Sequence, residues 1–469
     1  MLIDFNIKQK IKELKKAGKK IPKPYFDLGV AFWLIDPEGV NYVSDSKKTN
    51  QENYEFVAAK LKEFGLEKVF YEIEMPVLEI LADMEVRGVM AEVKVLTGLK
   101  KELDKEIEEA VVKIYKIAGR EFNLNSPKQL GEILFDVLKI KPKRKTKTGA
   151  RSTGAESLEA MKDEHEIIEL ILKYRELFKL NSTYVIPLSQ IVEASKDKRI
   201  HTTFLQTGTA TGRLSSENPN IQNIPTGTEY AKKIRSAFVP KKDCVFLSLD
   251  YSQIELRVMA SVSGDPNMIE AFKKDIDIHA LTASRVFNVP IEQVTKDMRH
   301  HAKTLNFGVI YGMGPQAFAR ATGFTFEQAF QFIEEYFREF YEVKIWQDKL
   351  IDKLKQTGYV ENLNGRKRWL PGILSPNQRV YSEATRAAIN MPIQGLAADI
   401  IKLAMIEVKK QFPDIGLILS IHDELVFEVP SVMLKDVAPR IKNIMEGAYE
   451  LKVPLKVDVL VGKNWAEVS

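Results

Sequence analysis

The sequence predicts an α+β fold, in which long helices surround a small antiparallel sheet. Apolar residues recur at helical spacing from Met75 to Gly88, and a charged helical pattern continues from Val93 to Ala118. Two other stretches have the character of strands. The apolar run 244–249 leads into Asp250, and 416–429 has the pattern of a β-hairpin.

Composition fits a globular protein of two to four domains. The 469 residues carry a formal net charge of +5 and a pI near 8.8, which permits a polyanionic partner. The single cysteine, Cys244, excludes an intramolecular disulfide and fits a reducing compartment. No apolar run approaches the ~20 residues of a membrane span. We therefore expect a soluble, cytoplasmic protein with no membrane partner, and its abundant charge and scarce cysteine give it a thermophile-like bias.

The first 75 residues contain a basic helical pattern at 7–16 and an apolar run at 30–35. Asp36 and Glu38 follow that run with the D-x-E spacing of a metal-binding nuclease pair. Because Pro37 lies between them and a glycine follows, the pattern favours a turn over a metal site.

A basic loop is predicted farther along, between helices. Ser126 and Pro127 are the residue types of an N-cap and a first helical position, and they start a helix that runs to Leu138. The segment 139–154 then carries seven cations and no acid before helices return at 155–180. One sign of charge among serine and threonine donors favours contact with a phosphate backbone over a solvated linker.

The chain changes character after residue 199. A strand-like alternation at 200–206 leads into small, amide-rich loops at 207–225, which contain the single cation Arg213. Such loops donate hydrogen bonds without bulk, as close approach to a minor groove requires. A plain surface loop is the alternative.

The segment 298–312 has a distinctive pattern. Arg299, Lys303, Phe307 and Tyr311 recur every four residues, which places them along one face of a helix. Cations pair with phosphate oxygens and aromatic rings stack on flat heterocycles. The face suits a ligand with a polyphosphate at one end and a heterocycle at the other, and a half-buried amphipathic helix is the alternative.

Two acidic positions complete the pattern. Asp250 ends a predicted strand, and His422-Asp423-Glu424 occupies the turn of the predicted hairpin. An acidic turn alone is common. If the strand lies beside the hairpin, however, two carboxylates converge at one sheet edge, where Mg²⁺ binds together with substrate phosphates. Two such ions about 4 Å apart are the apparatus of in-line phosphoryl transfer.

Together these segments resemble motifs A, B and C of the family A DNA polymerases, the DNA polymerase I type. The motifs are D-Y-S-Q-I-E-L-R at 250–257, R-x-x-x-K-x-x-x-F-x-x-x-Y-G at 299–312 and H-D-E at 422–424. Further matches are T-G-R-L-S-S at 211–216, N-P-N-I-Q-N-I-P at 218–225, D-I-H-A at 277–280 and N-M-P-I-Q-G at 390–395. The resemblance covers roughly residues 75–469.

The resemblance implies a right-hand polymerase fold, with an antiparallel palm sheet, helical fingers and thumb, and a short N-terminal remnant. The implied parts are an exonuclease-like segment at 1–75, a palm-packing helix at 76–91, the thumb at 92–190, the palm at 191–265 and 397–469, and the fingers at 266–396.

The resemblance also implies a role for each matching residue. Asp250 and Asp423 would hold two Mg²⁺ ions, with Mn²⁺ as a substitute, and the Tyr251 backbone carbonyl would complete a metal shell. Arg299 and Lys303 would be catalytic residues, because they would bind the triphosphate of the incoming dNTP and offset the charge that builds on it during transfer. Glu255 would leave no room for a 2′-OH.

Two sets of binding residues follow from the same resemblance. The residues implied for the dNTP are Gln253, Glu255, His279, Arg299, Lys303, Phe307 and Tyr311. Those expected to contact primer-template DNA are Arg213, Asn220, Gln222, Asn223, Gln394, His422, Lys145, Lys147, Arg151 and Thr183. Arg213 and its neighbours would read minor-groove acceptors that are similar for every base pair. We expect a monomer.

The chain also departs from the family pattern. His300 and His301 replace the basic and small residues expected after Arg299, and they lie off the ligand face, so we expect tuning of activity. Residues 1–75 resemble only the tail of the family's 3′–5′ exonuclease domain, at 26–37. The opening D-x-E strand and the later Tyr-x-x-x-Asp of that domain have no match, nor has the 5′ nuclease domain, so we expect no proofreading.

The expected function is template-directed DNA synthesis, in which dNTPs are added to a primer 3′-OH by two-metal-ion nucleotidyl transfer. A single-subunit RNA polymerase shares the fold, but Glu255 and Phe307 favour deoxynucleotides. A non-catalytic DNA-binding relative would be expected to lose a metal aspartate. A nuclease would need an upstream carboxylate cluster, where only Asp27, Asp36 and Glu38 are available. Some reverse transcription is also expected, because the implied template contacts are largely to shape and backbone.

Overall fold

Helices dominate the structure, a computed structural model that describes residues 1–144 and 149–468. The α-helices of this part of the chain are α1 (Ile7–Lys16), α2 (Leu28–Ile35), α3 (Asn50–Glu63), α4 (Met75–Arg87), α5 (Val93–Ala118), α6 (Pro127–Gly131), α7 (Ala155–Glu159), α8 (Glu166–Leu180), α9 (Ile186–Ala194), α10 (Glu229–Ser236), α11 (Ile254–Ser263), α12 (Pro266–Lys273), α13 (Ile278–Phe287), α14 (Lys296–Ile310), α15 (Pro315–Thr322), α16 (Phe326–Glu339), α17 (Tyr341–Thr357), α18 (Gln378–Gln411) and α19 (Leu434–Glu446). The π-helical segments are Val69–Glu74, Glu132–Val137 and Asn181–Val185, and 3₁₀ turns cover Lys162–Glu164, Ile291–Gln293, Pro371–Leu374, Ser431–Met433 and Trp465–Glu467.

The strands are short and form small sheets. They are β1 (Leu2–Asp4), β2 (Tyr25–Asp27), β3 (Val89–Met90), β4 (Arg199–Ile200), β5 (Thr203–Leu205), β6 (Ser215–Glu217), β7 (Cys244–Tyr251), β8 (Tyr359–Glu361), β9 (Lys367–Trp369), β10 (Gly416–Ile421), β11 (Glu424–Pro430) and β12 (Val457–Gly462). Four of them form one sheet in the order β10-β11-β7-β12, and the others pair two by two.

The four-stranded sheet confirms the predicted neighbourhood of strand and hairpin. β10 and β11 form an antiparallel hairpin around the two-residue turn 422–423, and β11 pairs antiparallel with β7. In that register Asp250 lies opposite Glu424 and Leu249 opposite Leu425. Most of β7 is buried, as its near-continuous apolar sequence leads one to expect. Its carboxyl end therefore brings Asp250 to the same edge as the turn that carries Asp423.

Packing divides the chain into two units. The larger unit contains residues 1–88, 201–222 and 242–461, and the smaller unit contains 89–200, 223–241 and the residues from Gly462 on. The division into exonuclease-like segment, palm, fingers and thumb stays a prediction. In the larger unit, the N-terminal segment (residues 1–75) does not have a core of its own, because its buried side chains form one cluster with Leu78 and Ala82 of α4.

The predicted apolar run at 30–35 belongs to a buried helix. Seven of the eight residues of α2 are buried, and its N-cap Asp27 accepts hydrogen bonds from the backbone N–H groups of Val30 at 2.9 Å and Ile7 at 2.8 Å. Burial raises the pKa of Asp27 to about 6, although those hydrogen bonds oppose it. The Asp27 carboxyl thus links the first residue of α1 to the first turn of α2, which is a structural role.

Helix α18 runs through the larger unit for 34 residues and contains Pro392. In length and composition it could cross a membrane, but 83% of its most apolar window is buried inside the protein. Its apolarity is therefore that of a core helix.

The smaller unit is built on α5, whose observed bounds match the predicted helix at Val93–Ala118, packed against α8. The predicted helix start at Ser126 is also confirmed, because its hydroxyl accepts from Gln129 N at 3.4 Å and Pro127 is the first helical residue. The prediction of a single strand at 200–206 is wrong. The segment is divided between β4 and β5, because the side chain of Thr202 between them donates to the carbonyls of Glu217 at 3.2 Å and Pro219 at 2.7 Å.

Candidate active site

The carboxylates of Asp250, Asp423 and Glu255, here called the carboxylate edge, lie at the end of the four-stranded sheet. Tyr251 N donates to the Asp423 carbonyl at 3.2 Å, which fixes the hairpin turn against β7. Asp250 keeps solvent contact, yet burial and then the charges of Asp423 and Asp458 raise its pKa to about 6. Burial also raises the pKa of Asp423, although Arg213 opposes it.

This donor set fits a divalent cation. Burial is the main cause of the raised pKa of Asp250 and the charge of Asp423 adds to it, so a bound cation would relieve repulsion between these two carboxylates. Within the ranges that the structure describes, no group of three or more histidine, cysteine or acidic side chains is placed to enclose a metal. Two aspartates with a neighbouring backbone carbonyl form an open set, which leaves coordination positions for phosphate oxygens, as Mg²⁺ sites do.

Arg213 joins two members of the carboxylate edge. Its Nη2 donates to Glu255 Oε1 at 2.7 Å and to Asp423 Oδ1 at 3.1 Å. Glu255, 4% exposed, also accepts from the Tyr311 hydroxyl at 3.1 Å and from the Gln394 amide. Burial raises the pKa of Glu255 against the opposing charge of Arg213. These contacts hold its carboxylate in one place.

Tyr311 departs from the predicted helical face. Arg299, Lys303 and Phe307 lie on α14, but the helix ends at Ile310 and Tyr311 is its C-cap. Burial and then the charge of Glu255 raise the pKa of the Tyr311 hydroxyl to about 12, so it stays protonated and can donate.

The cationic end of α14 is organised by Asp277. This residue caps α13 by accepting from His279 N at 2.9 Å, and it accepts from Arg299 Nε at 2.7 Å. Lys303 is exposed, and no carboxylate oxygen in the described part of the chain lies within 4 Å of its Nζ. One cation of the pair is thus oriented by an acid, and the other is available to a ligand.

His279 is buried beneath this face, at 3% exposure. Its Nδ1 lies 3.0 Å from Asn306 Nδ2, and its ring centroid is 5.8 Å from that of Phe307. Burial lowers its pKa to about 4, and the charges of Arg299 and Lys303 lower it further against Asp277. A neutral ring that accepts at Nδ1 carries its proton on Nε2, where it can donate.

Four more of the predicted residues, Asn220, Gln222, Gln253 and His422, lie on loops and turns of the larger unit. Gln222 Nε2 donates to the Ser420 carbonyl at 2.7 Å, and Ser216 Oγ donates to Asn220 Oδ1 at 3.2 Å. His422 in the hairpin turn and Gln253 before α11 both adopt positive φ, at 50° and 55°. A positive φ is uncommon for glutamine and less so for histidine, and strained backbone of this kind is often found at functional sites.

The remaining predicted DNA contacts belong to the smaller unit or lie outside the described residues. Arg151 makes two hydrogen bonds to Asp136, both at 2.6 Å, and its guanidinium lies 5.1 Å from the Phe135 ring centroid. Thr183 is exposed, and the Asn223 carbonyl accepts from Tyr184 at 2.5 Å. Lys145 and Lys147 fall outside the described ranges.

The upstream carboxylates have structural partners. Asp36 Oδ2 accepts from Tyr42 N at 2.8 Å, and Glu38 accepts from Arg368 Nη2 at 2.7 Å. The predicted turn at 36–39 is confirmed.

Sequence reasoning missed two groups of residues. Asp277 and Asn306 orient the cationic face. Asp277 was noted only as the first residue of the D-I-H-A match, without a role, and the signal for Asn306 was a polar residue within the apolar side of α14. The second group is the buried ion cluster, formed by Glu74, Arg366, Asp399 and Lys402. Arg366 Nη2 contacts Asp399 Oδ1 at 2.6 Å and also pairs with Glu74, while Lys402 Nζ lies 2.7 Å from Glu74 Oε1.

Comparison with known proteins agrees with this geometry. The model of DNA polymerase family A matches residues 93–467. The chain is 45% identical to DNA polymerase I, thermostable, of Thermus filiformis over 404 residues, which is 86% of this chain and 48% of the relative. It is 40% identical to DNA polymerase I of Bacillus caldotenax over 511 aligned positions, which is 99% of this chain and 58% of the relative. The chain thus spans about half the length of these relatives.

A solved structure shares the fold. The polymerase domain of Pol1 from M. smegmatis, in complex with DNA primer-template and dNTP, superimposes with a TM-score of 0.92 at 35% identity. The match covers 98% of this chain and 85% of that one, and it confirms the predicted right-hand polymerase fold. Family A DNA polymerases generally use divalent metal ions. Motifs, fold and family match agree: this chain belongs to DNA polymerase family A.

Proposed function

We propose that the chain is a template-directed DNA polymerase, which extends a primer 3′-OH with dNTPs. The observation that carries this proposal is the meeting of Asp250 and Asp423 at one sheet edge of the larger unit. The cations and rings of α14 belong to the same unit, and Tyr311 at its end contacts Glu255 of the carboxylate edge. A triphosphate and the acids that act on it can therefore share one site.

Asp250 and Asp423, with the Tyr251 carbonyl, would hold two Mg²⁺ ions. When bound, such ions activate the attacking oxygen and neutralise the leaving pyrophosphate. The chain supplies the rest. Arg299 and Lys303 would bind the triphosphate and offset the negative charge that develops on it during transfer. The Nε2–H of neutral His279 would add a hydrogen bond that carries no extra charge.

Glu255 would select the sugar. Its carboxylate is buried and accepts hydrogen bonds from Arg213, Tyr311 and Gln394, so it cannot swing away from an added hydroxyl. A 2′-OH on the incoming nucleotide would meet this fixed carboxylate. The expected substrates are therefore dNTPs, with primer-template DNA as the polymeric partner.

Primer extension on a DNA template tests the proposal. Wild type and Asp423→Ala would be compared with Mg²⁺ and either dNTPs or rNTPs, and Mn²⁺ would be tried as a substitute. We expect extension with dNTPs by the wild type alone. Extension with rNTPs would identify an RNA polymerase instead. Tight primer-template binding without extension would identify a binding protein.

The same preparation tests two further expectations. Size-exclusion chromatography with light scattering should give a monomer of 53.4 kDa. A labelled primer with a mismatched 3′ end should persist when dNTPs are withheld, because no proofreading is expected.

A further inference from the structure

Trp33 in the N-terminal segment contacts the loop that carries Arg213. Trp33 of α2 is 8% exposed, and its Nε1 donates to the Thr209 carbonyl at 3.1 Å. Thr209 Oγ1 donates in turn to the Arg213 carbonyl at 2.9 Å. Arg213 then donates to Asp423 and Glu255. Two hydrogen bonds thus connect α2 to the arginine that contacts a catalytic aspartate.

The buried ion cluster supports the same loop from another side. Gly212 has a φ of +90°, and a Cβ added there would lie 2.9 Å from Arg366 Cζ, so the loop backbone rests against the guanidinium. The Trp33 ring covers the same cluster, with its centroid 5.4 Å from Arg366 Cζ and 5.7 Å from Lys402 Nζ. Trp33 therefore contacts both the loop and the group on which the loop rests.

The loop has little order of its own. Residues 206–214, between β5 and β6, form no helix or strand, and two of them, Gly208 and Gly212, are glycines. An arginine on such a segment loses conformational freedom only where other groups hold the backbone. The contacts from Trp33, Arg366 and the Thr209 hydroxyl supply that restraint around Arg213, while Gln206 Nε2 holds the start of the loop by donating to the Glu74 carbonyl at 2.8 Å.

We infer that Trp33 is a positioning residue for Arg213, so that the N-terminal segment is a working part of the site and more than a packing remnant. This inference rests on the proposed function. Its competitor is a purely structural role, in which Trp33 fills the core of α2 and influences activity only through stability.

The informative variant is Trp33→Phe, which keeps a ring over the cations and removes the Nε1 donor. In single-nucleotide insertion by the full chain, we expect the rate at saturating dNTP to fall about three- to ten-fold, the range that loss of one hydrogen bond allows. The KM for dNTP should stay within about two-fold, because the cationic face of α14 is not touched.

Phe32→Leu is the matched control in the same helix. The Phe32 ring packs on Phe5 and Phe56, with centroids 6.2 Å and 6.1 Å away. This variant should lower Tm and leave the insertion rate unchanged at temperatures well below melting. If the rate losses of both variants simply follow their Tm values, the role is structural and the inference fails.

Thr209→Val provides a second, independent arm, since it keeps the backbone acceptor and removes the hydroxyl that donates to Arg213. We expect the same loss of rate with unchanged KM, and the double variant should lose less than the product of the single losses, because both act through one loop. A multiplicative loss, or a Trp33→Phe rate equal to wild type, would overturn the inference. If wild type itself fails to extend, the proposed function fails first; if wild type extends and Trp33→Phe matches it, only this inference fails.

Discussion

Two charged groups in the larger unit touch the same loop and differ in their balance of charge. The buried ion cluster pairs two cations with two carboxylates, and burial at Glu74 is outweighed by Lys402 and Arg366, so the pKa of Glu74 lies below its ordinary value. The carboxylate edge has three acids and one contacting arginine, Arg213, and the pKa of each acid is raised. We therefore expect the balanced group to serve the fold, whereas the excess of negative charge at the carboxylate edge favours a cation from outside.

The largest effect is expected when the buried ion cluster loses one of its cations. Arg366→Met would leave Glu74 and Asp399 buried without a full counter-charge, and we expect a loss of about 3–5 kcal/mol in the free energy of unfolding. Arg213→Met should cost about 1 kcal/mol, because the side chains of Arg213 and Asp423 are partly exposed, at 20% and 24%. Urea unfolding of both variants measures the difference. Equal losses in the free energy of unfolding would show that the buried ion cluster and the carboxylate edge do not differ in this way.

The second prediction is that removing a charge from the carboxylate edge stabilises the protein. The pKa of Asp250 is raised to about 6 from 3.8, so the folded state holds this proton more tightly than the unfolded state does. The free energy of unfolding should therefore decrease as pH rises from about 4 through 6. Asp250→Asn should therefore equal wild type near pH 4 and exceed it near pH 7.5 without metal. Because Asp250 is exposed to solvent, the gain should be about 1 kcal/mol or less.

Adding Mg²⁺ should undo that advantage. Only the wild type gains by binding the ion, so thermal scans with and without Mg²⁺ should show a larger rise in Tm for wild type than for Asp250→Asn. Asp458→Asn is the matched control, because it removes a nearby charge from the exposed face of β12 and should retain primer extension. Loss of extension in Asp458→Asn would mean that activity depends on the total negative charge near the site and not on the position of Asp250.

The third prediction concerns selectivity and leaves the fold intact. Glu255→Ala removes the carboxylate that would meet a 2′-OH, and the preference for dNTPs over rNTPs, measured as the ratio of kcat/KM, should fall about ten-fold or more, equal to about 1.4 kcal/mol. Tyr311→Phe removes only the hydroxyl donated to Glu255 and should change the ratio less. An unchanged ratio in Glu255→Ala would place the sugar gate elsewhere.

The smallest expected effect is on an RNA template. Extension of a DNA primer should remain detectable but slower than on DNA, because the proposed contacts read shape and backbone. Asp423→Ala on the same template sets the background. Product at that background level would remove reverse transcription from the list of activities.

Much of the local structure followed from the sequence. The bounds of α1 and α5, the cap at Ser126 and the strand leading to Asp250 were predicted, because periodicity and capping residues act over a few neighbours. The two aspartates proposed as catalytic were predicted in the same way, as acids placed where apolar strands end. Their meeting needed one assumption about strand pairing, and the register of β7 with β11 confirmed it.

Contacts between distant parts of the chain were not predictable. Arg366 pairs with Glu74 across 292 positions, and Trp33 donates to Thr209 across 176. Neither contact can be read from nearby residues, because the sequence around an arginine or a tryptophan does not show whether its side chain contacts a distant part of the protein or the solvent. Tyr311 shows a finer limit, because a four-residue spacing cannot tell that the helix ends one residue early.

The spacing of residues along α18 has a consequence for heat inactivation. Gln394, which contacts Glu255, lies five residues before Asp399 and eight before Lys402 of the buried ion cluster, or about 8 Å and 12 Å along the helix at about 1.5 Å per residue. We expect loosening of the cluster to disturb Gln394 as well. Catalysis and the interior should therefore fail over the same narrow span of temperature, and the protein should work up to the edge of its own collapse.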